Sequence, residues 1–234
     1  MPDKHLSTQF DSELNSLSSR VMELGGLVES QIREAIRAVG EFNADVARKV
    51  IETEHRVNQM EVDIDRELSS VIARRQPTAR DLRLLMAISK TTANLERVGD
   101  EARRIARMVL SIVDKGGVGH TVPASELRVA SEMASAQLRK VLDAFARLDT
   151  AAAVAIMKED DLLDREFDGF VRKLITYMME DPRTISSGLD MLFVAKAIER
   201  IGDHAKNIAE FIIYVVKGAD VRHSSMENIE SAIR

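Results

Sequence analysis

An eleven-residue block occurs twice in this 234-residue chain, and that duplication constrains the fold more than any other feature. Glu96-Arg-Val-Gly-Asp100-Glu-Ala-Arg-Arg-Ile-Ala106 aligns with Glu199-Arg-Ile-Gly-Asp203-His-Ala-Lys-Asn-Ile-Ala209 at an offset of 103, with seven positions identical. Upstream, Val57, Ile64 and Leu68 align with Leu163, Phe170 and Leu174 at an offset of 106. The three-residue change falls around Pro77 and Pro182, in turns, where insertions are tolerated. One architectural unit is therefore expected twice.

The unit is helical. Only 11 Gly and 4 Pro interrupt a chain rich in Ala, Leu, Glu, Lys, Arg and Met, which points to an all-α fold. Pro77 and Pro182 each separate long helical patterns, and Gly116-Gly117-Val118-Gly119 followed by Pro123 marks the main linker. The spacing predicts six helices, near 7–40, 43–74, 78–115, 124–147, 150–180 and 184–217. Short connections favour antiparallel neighbours, so each unit is expected to be an up-down-up three-helix bundle: residues 1–116, then 117–218, with a polar tail at 219–234. Gly25-Gly26 is expected to kink or thin the first helix.

Several function classes are excluded at this level. Without Cys there is no disulfide framework, thiolate metal site or thiol nucleophile. The polar start, MPDKHLSTQF, lacks the apolar stretch of a signal peptide, and no apolar run approaches the ~20 residues of a membrane span. A soluble, cytoplasmic protein is expected. A net charge of −5, with no basic stripe interleaved with aromatics, argues against nucleic acid.

In the third helix Leu85, Ile88, Thr92, Leu95, Gly99, Ala102, Ala106 and Val109 recur every three or four residues as the core stripe. Glu96 and Asp100 stand on its shoulder, one above the other. The second helix carries Glu54, Asn58, Glu61 and Asp65 beside Val50, Val57, Met60, Ile64 and Leu68. The fifth and sixth helices place Asp160 and Asp164, then Glu199 and Asp203, at matching positions. Gly99 and Gly202 sit mid-helix, each costing about 1 kcal/mol relative to Ala, and let a neighbouring backbone approach. Carboxylates on two such helices can converge on a hard divalent or trivalent cation, which takes oxygen ligands. The same residues can instead form solvated faces, with Asp100 paired to Arg104, Glu199 to Lys196 and Asp203 to Lys206. His55 and His204 point about 100° away from the neighbouring acids and are expected in solvent, while His5, His120 and His223 fall in ends or linker. Met178-Met179 is expected to fill core.

No phosphate loop, dinucleotide fingerprint, nucleophile elbow or His-Glu-x-x-His occurs. The alternative from another class is a carboxylate-bridged di-iron oxidase or iron-storage bundle. A ferritin-like site wants two Glu-x-x-His pairs plus two further glutamates, and only Glu52-Thr-Glu-His55 supplies a pair, so the fit is poor. No catalysis is expected.

The duplicated Glu-Arg-[Val/Ile]-Gly-Asp resembles PhoU, a bacterial phosphate-signalling family. So do Arg74-Arg-Gln-Pro-Thr-Ala-Arg-Asp-Leu-Arg83, Tyr177-Met-Met-Glu-Asp-Pro-Arg183 and Phe211-Ile-Ile-Tyr-Val-Val-Lys-Gly218. The resemblance runs over roughly residues 5–223. It implies two tandem three-helix bundles, a homodimer, and iron, manganese, magnesium or zinc bound through Glu/Asp-x-x-x-Asp pairs. Those pairs map to Glu54 and Asn58 with Glu96 and Asp100, and to Asp160 and Asp164 with Glu199 and Asp203, where Asn58 departs from the acidic pattern. It also implies a negative regulator that couples a Pst-type phosphate ABC importer, through its PstB-type ATPase, to a PhoR-type sensor histidine kinase. Such a regulator acts at the inner face of the membrane through its partners. A PhoU-like regulator of a different phosphate permease is the alternative within the family.

Overall fold

The computed structural model describes residues 8–120 and 123–233, and no strand occurs among them. His5, and Ser7 where the first helix was expected to begin, lie outside the described residues. Six long helices follow in order: α1 (Thr8–Glu41), α2 (Ala44–Arg75), α3 (Ala79–Asp114), α4 (Arg128–Arg147), α5 (Thr150–Glu180) and α6 (Ile185–Lys217). The linker forms two 3₁₀ turns, Gly117–His120 and Ala124–Leu127, so α4 begins four residues later than its pattern suggests. The polar tail supplies α7 (Met226–Ile233), which docks through buried Ile229 and a Lys158–Glu230 ion pair. Among the described residues, no helix is long and apolar enough to cross a membrane.

The duplication is visible in the turns. After α1, Phe42 takes a left-handed conformation (φ 45°) and Asn43 N–H donates to Ala38 O at 3.0 Å; after α4, Leu148 (φ 50°) and Asp149 repeat it, with Asp149 N–H on Ala144 O at 2.9 Å. These are Schellman closures. The same two residues cap the next helices, Asn43 accepting from Asp45 and Val46 N–H and Asp149 from Ala152 N–H. The connections after α2 and α5 differ. Gln76 (φ 48°) closes the first, whereas a 3₁₀ turn at Pro182–Thr184 forms the second.

Helices α1–α3 pack on one another, as do α4–α6. The two sets meet along α3 and α6, which run antiparallel: Arg83 faces Val215, Asn94 faces His204, Glu101 faces Arg200 and Ser111 faces Asp190. α1 lies against α4, where Gly25 makes the approach close; a Cβ there would stand 2.5 Å from Leu142 Cδ2. Gly25 thins α1, and the helix continues unbroken through it.

α3 and α6 each bury two stripes rather than one. The core stripe expected of α3 is buried throughout, and Ala87, Thr91, Asn94, Val98, Glu101 and Ile105 form a second one towards α6. On α6 the partner stripe includes Asp190, Val194, Ala197, Ile201, His204 and Ile208. This corrects the expectation for His204. It is 6% exposed rather than in solvent, and its Nδ1 lies 3.1 Å from Asn94 Oδ1. His55 is exposed as expected. Met178 packs under Gly188, but Met179 does not fill core and is 79% exposed, because it lies on the outer side of the last turn of α5.

Candidate metal centre

Glu54 sits in the middle of α2, 2% exposed, facing α3. Gly99 makes that position possible. A Cβ on Gly99 would lie 3.3 Å from Val57 Cγ1 and 3.4 Å from Glu54 Oε2, so the bare backbone lets α2 sit close to α3. One ligand oxygen each from Glu54, Glu96 and Asp100 then falls within 4.8 Å of the others. Oxygens about a cation at roughly 2.0–2.6 Å from each ligand span about this distance.

Gln31 of α1 orients the centre. Its Nε2 donates to Glu54 Oε2 at 3.0 Å and to Val50 O at 3.1 Å. Glu54 Oε1 and Asn58 Oδ1 are buried without a protein partner. Buried acceptors left this way carry a desolvation cost that a donor, water or cation relieves. Asp100 pairs with Arg103 instead of the expected Arg104, which reaches Glu101 on the α6 side.

The charges are strained. Burial, followed by repulsion from Asp100, Glu61 and Glu54, pushes the Glu96 carboxyl up to about 7. Burial also raises Glu54, opposed by the Gln31 hydrogen bond, and raises Glu61 with help from Asp65 and Asp100. Crowded, partly desolvated carboxylates with free buried oxygens form a donor set that fits a hard cation, since the ion offsets both repulsion and desolvation.

The second half holds the same positions differently. Lys206 donates to Asp160 at 2.6 Å, not to Asp203 as the sequence suggested, and Lys196 donates to Glu199 at 2.6 Å as it suggested. Burial, then repulsion from Glu199 and Asp160, pushes Asp203 up to about 6, and burial also raises Asp164. Glu199 Oε2 is buried without a partner. Among the described residues only Glu54, Glu96 and Asp100 converge within 4.8 Å; in the second half, lysines already occupy two carboxylates.

Sequence reasoning missed Gln31 and its counterpart Gln137. Both are buried, 106 positions apart, and their Oε1 atoms stand over Gly99 and Gly202, 3.1 and 2.9 Å from where a Cβ would be. The signal was a glutamine on an otherwise apolar stripe at matching places in α1 and α4.

A twice-repeated three-helix unit, with carboxylates gathered where its second and third helices touch, defines a class of acidic helical-repeat scaffold. Comparison with known proteins narrows it. The family model described as the PhoU domain matches residues 21–109 and again 127–212, and the chain belongs to the PhoU family. A Burkholderia protein named phosphate-specific transport system accessory protein PhoU homolog is 51% identical over 98% of this chain and 97% of its own length. The Escherichia coli K12 phosphate-specific transport system accessory protein PhoU is 48% identical over 99% of this chain and 95% of its own. Among solved structures, PhoU from Pseudomonas aeruginosa aligns with TM-score 0.85 at 42% identity, covering 90% of this chain and 100% of that one. The Streptococcus pneumoniae phosphate transport system regulatory protein PhoU aligns at 0.84 and 26% identity, over 91% and 99%.

Proposed function

We propose that this protein is a non-catalytic, metal-binding negative regulator of phosphate uptake and phosphate-starvation signalling. The observation that carries the reading is near-complete coverage, at about half identity, of relatives named as accessory proteins of phosphate-specific transport. In this reading the chain couples a Pst-type importer, through its PstB-type ATPase, to a PhoR-type sensor kinase. It works as a cytoplasmic homodimer at the inner face of the membrane and holds the kinase inactive when phosphate is plentiful. A scaffold of this kind acts by differential contact with two states of a partner.

The two repeats, 1–116 and 117–218, each carry a cation position. Glu54, Glu96 and Asp100, with Asn58, hold a divalent or trivalent ion in the first; two buried acceptors there lack a protein partner, and Glu96 keeps its proton up to about 7 without one. Bound there, the ion neutralises the carboxylates and ties α2 to α3. All-oxygen donors suit magnesium, manganese and iron better than zinc. Asp160, Asp164, Glu199 and Asp203 form the second position once Lys206 and Lys196 swing away, so it fills after the first.

Deleting the gene and following a phosphate-starvation reporter in phosphate-rich medium tests the regulatory role. High activity, reversed by the intact gene, is expected. A silent reporter overturns the kinase assignment and moves the search to another phosphate permease. Complementation with Glu54→Gln/Glu96→Gln then asks whether the metal matters: restored repression with no bound metal would make the ion incidental.

A further inference from the structure

Where α3 meets α6, a cavity of about 390 Å³ opens beside the candidate metal centre, with Asp100 in the lining of both. Five guanidinium groups line it: Arg97, Arg103, Arg104 and Arg107 from α3, and Arg200 from α6. Two carboxylates in the lining pair with them. Asp100 holds Arg103, and buried Glu101 on the floor is shared between Arg104 and Arg200. Among the described residues Arg97 and Arg107 form no ion pair. In a chain of net charge −5, this is a local excess of positive charge in a concave site.

His204 lines the same cavity and is more than nine-tenths buried. Asn94 Nδ2 donates to Lys90 O, which leaves its Oδ1 as the acceptor facing His204 Nδ1 and Asn207 Nδ2. Nδ1 therefore carries the imidazole proton, and Nε2 is a lone-pair acceptor with no partner in the protein. It exposes almost no surface, so a ligand oxygen reaches it only when the side chains lining the cavity shift. The cavity thus combines many donors with one buried acceptor. A fully ionised oxyanion satisfies the donors alone. Inorganic phosphate at neutral pH satisfies both, because it still carries a P–O–H. Sulfate has none, and a phosphomonoester, with a second pKa of about 6, has mostly lost its own.

We propose that this cavity binds inorganic hydrogen phosphate, with arginine forks on its oxygens and its hydroxyl donating to His204 Nε2. Arg97 and Arg107, which form no ion pair among the described residues, supply charge to the bound oxyanion. The proposal rests on the cavity alone, not on the importer or kinase assignment, so a silent reporter strain would leave it standing.

Equilibrium dialysis of the full chain with radiolabelled orthophosphate tests it, run with chelator so that phosphate held by a metal is not counted. Saturable binding is expected, weakened about tenfold in each of Arg97→Gln and Arg107→Gln, the loss of one charge-assisted hydrogen bond. Neither variant removes an ion pair, and circular dichroism checks that both fold. Sulfate is expected to compete at least about tenfold less well than unlabelled phosphate. No saturable binding, or binding unchanged in both variants, overturns the site. Equal competition by sulfate overturns the His204 contact, and tighter binding of glycerol 3-phosphate overturns the free ion as its ligand.

Discussion

Glu96 is held protonated by burial and by three neighbouring acids, up to about 7 against 4.5 for the free side chain. Between those values the native state binds more protons than the unfolded chain. This group's stabilising contribution is therefore complete below about 4.5 and is lost as pH rises through about 7. His204, lowered to about 4 by burial, works with the opposite sign, so whole-protein curves mix the two. The comparison with Glu96→Gln isolates the carboxylate. In chelator, urea midpoints of the wild type are expected to fall relative to the variant between pH 4.5 and 7.5. Saturating manganese should remove that fall, since the ion stabilises the ionised form; a wild type that gains on the variant as pH rises would refute the crowding. The two mid-helix glycines separate by the same logic of contact. In Gly202→Ala the new Cβ meets Leu163 Cδ2 at 2.4 Å inside a packed core, whereas in Gly99→Ala the closest atoms, Gln31 Oε1 at 3.1 Å and Val57 Cγ1 at 3.3 Å, need give by only a few tenths of an ångström. Overpacking of about 1–3 kcal/mol against a helix-propensity gain of about 1 predicts a larger net destabilisation for Gly202→Ala than for Gly99→Ala. Chemical denaturation of both variants measures the difference.

The repeated turns explain why α1–α2 and α4–α5 fold alike despite little shared sequence. Each needs a left-handed residue followed by a side chain that accepts from the next helix's free N–H groups; Phe42-Asn43 and Leu148-Asp149 do this with different residues. Asn43→Ala and Asp149→Ala are each expected to lose about 1 kcal/mol, and by similar amounts because the geometry is the same. Denaturation midpoints with unchanged slopes would bear this out; a loss in one turn alone would show that the turns differ in tertiary support. Helix positions were legible because breakers are few and placed between strong periodic runs. α7 was not, since its eight residues dock only once α5 and α6 present a surface. The ion-pair partners were legible only in part. Arg103, not Arg104, reaches Asp100, because Arg104 is drawn towards Glu101 on the α6 side.

At the scale of the molecule, the two repeats share one long seam. Residues 1–116 alone would expose the α3 stripe of Ala87, Thr91, Asn94, Val98, Glu101 and Ile105, including a buried carboxylate and an amide that now bridges to His204. That fragment is expected to self-associate or aggregate, and to become soluble when residues 117–234 are co-expressed as a second chain. Sedimentation of the fragment alone and of the pair checks this, and a monomeric, cooperatively unfolding fragment would show that the repeats are independent. The sequence by itself determined the helical class, the duplication and the acidic positions, because these follow from period, composition and spacing along one helix. Tertiary structure alone decided which acids converge, that Gln31 orients Glu54, and that His204 and Glu101 lie buried on a second stripe. Those outcomes depend on which face of one helix meets which face of another, and a residue's own periodicity carries no record of its neighbour's charge or reach.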